Sequence, residues 1–161
     1  MTADAVTDAP RIIGRPDLYW DDLVVGDVLR GPGITISEAH LVTWAGLTGD
    51  TVSLHLDEEY AATTQFGQRI AHGPLTLALA LGLITQTGYF NHVVAWLGLD
   101  EVRASRPVVL GDTIQPEAEL IKARRSSKPT QGIWTLAYRA INQRGDAVMS
   151  FQSSFMISTR S

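Results

Sequence analysis

The sequence predicts an α+β domain in which a curved antiparallel sheet wraps one long central helix. Two observations predict it. Leu75 to Ile84 is apolar on every face, as suits a helix surrounded by other structure. Beyond it, three stretches alternate apolar and polar residues with a period of two, the pattern of half-buried antiparallel strands. A chain of 161 residues with 45% hydrophobic and 19% charged residues suits one compact domain, with at most a short tail.

In chain order, residues 1–16 are rich in Ala, Asp and Thr and end in Gly14-Arg15-Pro16, which reads as a flexible N-terminal arm. Residues 17–161 form the expected domain. A short extended piece runs from Val28 to Ile36. Ser37 then caps a helix through about Thr48, with Leu41, Trp44, Ala45 and Thr48 on its inner face. Asp57 caps a second, short helix carrying Tyr60, Ala61 and Thr64. The central helix opens at His72-Gly73-Pro74, where proline suits a helix start, and runs to Thr87 before Gly88.

Strands follow. His92 to Arg103 reads as one. The alternating stretches centred on Ile114–Leu120, Trp134–Ala140 and Met149–Ser158 read as three more. Gly111-Asp112 turns the chain between the first two, and Asn142 to Asp146 supplies the last hairpin. A sheet curved around one helix leaves an edge and an open end, so a homodimer, or a dimer of dimers, is expected.

Thirteen Lys and Arg against seventeen Asp and Glu give a net charge of -4, which argues against nucleic acid as a partner. With no cysteine, thiolate metal sites, disulfides and cysteine nucleophiles are excluded. The first ten residues lack the basic start and apolar stretch of a signal peptide. The most apolar stretch is about half the ~20 residues that a bilayer span needs. The expected protein is therefore cytoplasmic, with no membrane partner.

Of four histidines, His40 and His92 have no chemical context. His55 follows Asp50 by five residues in Gly49-Asp50-Thr51-Val52-Ser53-Leu54-His55, between two expected helices. A carboxylate and an imidazole held together can activate one water between them, and each tunes the other's pKa. The alternative is an Asp that caps a turn with a His packed beside it. A second constellation is Ile70-Ala71-His72-Gly73-Pro74. The helix start offers unpaired N–H groups, and Gly73 allows close approach to its own. On this reading His72 shapes the turn. Asp50, His55 and His72 show no recognised metal spacing, so no metal is expected. No phosphate-binding Gly loop or nucleophile elbow is present.

Taken together, Leu47-Thr48-Gly49-Asp50, His55-Leu56-Asp57, Tyr60-Ala61, Phe66-Gly67, Ile70-Ala71-His72-Gly73, Arg106-Pro107-Val108 and Gly111-Asp112-Thr113 resemble the MaoC-like dehydratases, the (R)-specific enoyl-CoA hydratases of the hotdog fold. The resemblance covers about residues 17–158. It implies a hydro-lyase that adds water reversibly across a trans-2-enoyl thioester, giving an (R)-3-hydroxyacyl thioester. Asp50 and His55 match the family's catalytic dyad, and Gly73 matches the glycine whose amide donates to the thioester carbonyl. No cofactor is implied beyond the coenzyme A of the substrate.

The chain departs from the family's usual Gly-Asp-x-Asn-Pro-x-His at Val52 and Ser53, and its central helix is almost wholly aliphatic where some relatives carry a small polar residue. The basic residues Lys122, Arg124, Arg125 and Lys128 are candidates for the coenzyme A phosphates, against the simpler reading of a solvated loop. A hotdog acyl-CoA thioesterase and a non-catalytic acyl-CoA-binding subunit are the competing functions, since the fold does not choose among them.

Overall fold

The protein is described by a computed structural model covering residues 10–160. Four short helices precede or thread a seven-stranded sheet. After β1 (Ile12–Ile13), β2 (Val28–Arg30) and β3 (Ile34–Thr35) come α1 (Glu38–Thr48), α2 (Ser53–Leu56), α3 (Glu58–Ala62) and α4 (Gly73–Thr85). The four long strands close the chain: β4 (Val93–Ala104), β5 (Thr113–Arg125), β6 (Gln131–Asn142) and β7 (Ala147–Ser158). The sheet order is β1-β2-β5-β6-β7-β4, with β3 also on β5. All pairs are antiparallel except β1–β2.

The alternation read from the sequence sorts the side chains as expected. Trp134, Leu136, Tyr138 and Ala140 of β6 face inward with Phe151, Phe155 and Ile157 of β7, and all are buried with Leu75, Ala80, Leu83 and Ile84 of α4. The hairpin at 142–146 is closed by the Asn142 Oδ1, which accepts from the N–H groups of Arg144 and Asp146 at 2.9 and 3.0 Å.

Several boundaries differ from the sequence reading. Residues 1–9, most of the expected arm, lie outside the described residues. Its remainder is not loose: Ile12–Ile13 pairs with β2, Ile13 is buried, and its carbonyl accepts from the Tyr89 hydroxyl at 2.7 Å. Thr48 is exposed rather than inward. Its hydroxyl instead donates to the Trp44 carbonyl at 2.7 Å, a local bond that competes with burial. Helix α4 stops at Thr85, two residues short, where Thr87 and Gly88 enter tight turns bonded to Ile84 and Thr85. It is also only half covered by its own chain, because Leu77, Leu79 and Leu81 stay partly exposed.

The unaligned histidines have structural tasks. His40 accepts the Ser37 N–H at 3.0 Å, completing the cap of α1. His92 stacks on Tyr19 at 3.6 Å and bonds Asp17 at 2.8 Å.

Candidate functional site

Helix α1 ends in Gly49, whose φ of 78° is a left-handed conformation that glycine adopts without strain. The chain there turns sharply and delivers Asp50. His55 follows on α2, a single helical turn closed by the Asp57 N–H donating to the Ser53 carbonyl at 2.8 Å, rather than on an open loop. Ser53 is the first residue of that turn. Proline suits this first helical position, and nothing in the structure explains serine there. Asp57, as expected, caps α3 by accepting the Tyr60 N–H at 3.0 Å.

The second half of the site comes from the start of α4. The Ala71 N–H donates to the Val108 carbonyl at 2.7 Å, and Ile70 bridges Val109, so residues 104–109 form a wall facing the helix start. Between them lies a cavity of about 330 Å³ that includes His55, Gly73, Thr76, Arg106 and Met149 in its walls. Gly73 is the first residue of α4, so its N–H is one of the groups a helix cannot satisfy internally. A side chain added at Gly73 would meet open space.

Asp50, His55 and His72 converge, with one carboxylate oxygen and one nitrogen of each ring all within 4.8 Å of one another. The hydrogen bonds settle the tautomers. His55 Nδ1 lies 2.7 Å from the Ile70 carbonyl, which can only accept, so Nδ1 carries a proton and the lone pair of the uncharged ring lies on Nε2. His72 Nε2 lies 3.0 Å from the Asp50 main-chain carbonyl and is by the same argument the protonated nitrogen. The two rings stack at 3.9 Å, 29° from parallel. Burial, together with the nearby His55, pushes the His72 pKa below its ordinary value, so His72 is neutral.

The basic residues fall elsewhere. They do not form a loop: β5 runs on through Lys122, Arg124 and Arg125, and Lys128 alone sits in the turn. Met149 at the site pairs with Ala140, and Ala140 with Pro116, whereas Arg125 pairs with Gly132 nine residues further along β5. At about 3.4 Å per residue that is roughly 30 Å. Arg125 there covers the Trp20 ring at 4.9 Å and pairs with Asp21 at 3.3 Å. The sequence reading passed over one basic residue at the cavity itself. Arg106, in the Arg106-Pro107-Val108 stretch, is mostly exposed at its wall and lies 3.6 Å from Asp146.

The family described as "MaoC like domain" matches residues 23–138, well over half the chain. The chain belongs to the MaoC-like family. It is 34% identical to Protein MaoC of Klebsiella aerogenes over 120 residues, 72% of this chain, and spans only 36% of that longer protein. It is 36% identical over 107 residues to an (R)-specific enoyl-CoA hydratase of Aeromonas caviae, covering 66% of this chain and 75% of that one. Among solved structures, this MaoC-like chain superposes on a Mycobacterium tuberculosis protein described as a double hotdog fold. The TM-score is 0.80 at 28% identity, over 91% of this chain and 45% of the other. One curved sheet with the long helix α4 against it is thus the hotdog fold.

Proposed function

We propose that this MaoC-like chain is a hydro-lyase that adds water reversibly across a trans-2-enoyl thioester, with Asp50 and His55 as its acid–base pair. The observation that carries the proposal is the free Nε2 of His55, on a ring pinned by Ile70, beside the Asp50 carboxylate and in the cavity onto which Gly73 opens. The name of the Aeromonas relative, an (R)-specific enoyl-CoA hydratase, supports it. In this mechanism the pair takes a proton from water as oxygen bonds to C3, and returns one to C2. The thioester oxygen gains enolate charge meanwhile. A fixed N–H at Gly73, backed by the α4 dipole, stabilises that charge more than it stabilises the ground state. The protons belong to the pair, which titrates as a unit.

The assembly is part of the same proposal. β4 is an edge strand of twelve residues carrying exposed Val94, Trp96, Leu97 and Val102, and α4 leaves Leu77 and Leu81 partly uncovered. Edge-to-edge pairing in a homodimer would cover both the strand edge and this apolar surface. The Arg124, Arg125 and Lys128 cluster lies roughly 30 Å along the sheet from the chain's own site, so in this reading it reaches coenzyme A phosphates, if at all, from a second copy. Scattering that shows an active, dilute 17.5 kDa monomer would overturn the assembly.

The activity is tested by incubating the protein with crotonyl-CoA and with a branched or dicarboxylic enoyl-CoA. Loss of enoyl absorbance without thiol release supports the hydro-lyase. Release of free thiol would make it a thioesterase, and binding without turnover would make it an acyl-CoA-binding subunit.

A further inference from the structure

We propose that His72 is a positioning residue for the acid–base pair: a neutral imidazole whose Nε2–H holds the Asp50 main chain and whose face fixes the plane of the His55 ring. The inference rests on the hydro-lyase reading of Asp50 and His55 and extends it to a third side chain. Sequence reasoning gave His72 only the shaping of a turn.

The arrangement is more specific than a turn requires. His72 has no exposed surface, and it ends the loop just before Gly73, so its main chain sets where α4 begins. Any residue with the right backbone angles could do that. Its ring does something else. Nε2 donates to the carbonyl of Asp50, twenty-two residues earlier, across the floor of the site. The same ring stacks on His55, whose Nδ1 is held from the other side by Ile70. His55 is therefore gripped at its edge by a carbonyl and at its face by an imidazole, and only rotation within a narrow range keeps both contacts. One side chain thus ties together the loop bearing Asp50, the ring of His55 and the residue that presents the Gly73 N–H.

A packing role alone would not leave the ring as it is. Nδ1 of His72 is buried and has no hydrogen-bond partner. An unpartnered acceptor destabilises the fold, and an apolar ring of similar shape would avoid it. The donor at Nε2 is what distinguishes histidine from such a ring, and its acceptor is the main chain of the candidate catalytic carboxylate. The depressed pKa agrees with a ring that stays neutral, and therefore adds no charge beside His55 when the pair takes up a proton.

The test separates the donor from the ring. His72→Phe keeps a flat face and removes the donor, whereas His72→Gln places an N–H close to Nε2 and removes the ring. With crotonyl-CoA as substrate, His72→Phe should lower kcat by about 10- to 100-fold with KM within about twofold, as a misplaced reacting group does. His72→Gln, which keeps a donor but uncovers the His55 face, should recover part of that loss and stay below wild type, and full recovery would overturn the role of the ring. Equal kcat for wild type and folded His72→Phe, or no recovery in His72→Gln, overturns the proposal. If His72→Phe does not fold, long-range proton–nitrogen spectra of the wild-type imidazoles decide: Nε2–H on His72 with Nδ1–H on His55 supports it, and Nδ1–H on His72 overturns it. These spectra need no turnover. A wild-type protein that shows the two opposite tautomers but never hydrates an enoyl thioester defeats the hydro-lyase reading and leaves the His72 geometry intact.

Discussion

Asp50 and Asp112 make an instructive pair. Both follow a glycine at a turn, but their surroundings differ. Asp112 is buried and fully engaged: its carboxylate accepts from Gln143 at 2.7 Å, Arg144 at 3.0 Å and the Val109 N–H at 3.1 Å. Burial pushes its pKa up, and these donors more than offset that, holding it below the usual carboxylate range. Asp50 is only half-buried. Among the described residues its side chain accepts no hydrogen bond, and its neighbours are two stacked imidazoles, one with an orphan nitrogen. A buried acid with donors on both of its oxygens is built to stay as it is. A carboxylate left open beside a free imidazole nitrogen has capacity for a ligand and a proton. The difference teaches that unanswered polarity, more than residue type, marks the site.

Removing the ionisable groups of Asp50 and His55 should have the largest effect on turnover. Asp50→Asn and His55→Gln should each lower turnover by about 10²- to 10⁴-fold, and the double variant should be barely worse than the worse single one, because the two act on one water. Steady-state hydration rates check this. A folded single variant with wild-type turnover would remove that residue from the mechanism.

Asp112→Ala should do the reverse. It leaves the Gln143 amide, the Val109 N–H and Arg144 without their acceptor. The expected loss is about 2–3 kcal/mol of stability in denaturant unfolding, with turnover per folded molecule unchanged. A fall in turnover without a fall in stability would show that Asp112, like Asp50, serves the site.

Acidity sharpens the contrast further. His72 has a depressed folded pKa, so the unfolded chain binds the extra proton first and stability falls as pH drops below about 6.5. Asp112 and Asp27 also have depressed pKa values, but their stability is complete above about 3.9 and lost only as pH falls below that. Two acid windows should therefore appear in a series of unfolding curves. His72→Gln should abolish the upper one, and Asp112→Asn should shrink the lower one.

The smallest effect tests whether every orphan marks function. Tyr138 is buried, stacks on Phe151 at 4.6 Å and has an unpartnered hydroxyl, but it is not in the cavity wall. Burial alone pushes its pKa well up. Tyr138→Phe should raise stability by up to about 1 kcal/mol and leave turnover unchanged, measured by thermal unfolding beside the hydration assay.

Much of the fold is legible locally. The period-two alternation of Trp134 to Ala140, the largely aliphatic Leu75 to Ile84 and the Asp57 cap each depend on residues within one turn or one strand. Their structural outcomes match the reading to within a few residues. Asp50, His55 and Gly73 are legible as a motif, and the fold brings Asp50 beside His55 and sets His55 and Gly73 in one cavity. What could not be read depends on distant partners. Ile12–Ile13 is too short to show alternation and becomes a strand only because β2 lies beside it. Arg124 and Arg125 look like neighbours of an anionic ligand, but the β5–β6–β7 register carries them to the far end of the sheet.

Local sequence sets which residue types are available for acid–base work, where the longer helices and strands run to within a few residues, and which of their faces are apolar. These follow from capping, period and side-chain chemistry, which act over a few residues. Only the tertiary structure decided that Ile70 and Asp50 offer their carbonyls to His55 and His72, and hence which nitrogen of each ring is free. That choice belongs to main-chain atoms fifteen and twenty-two residues away. A carbonyl is the same in every residue, so its partner is set by packing alone.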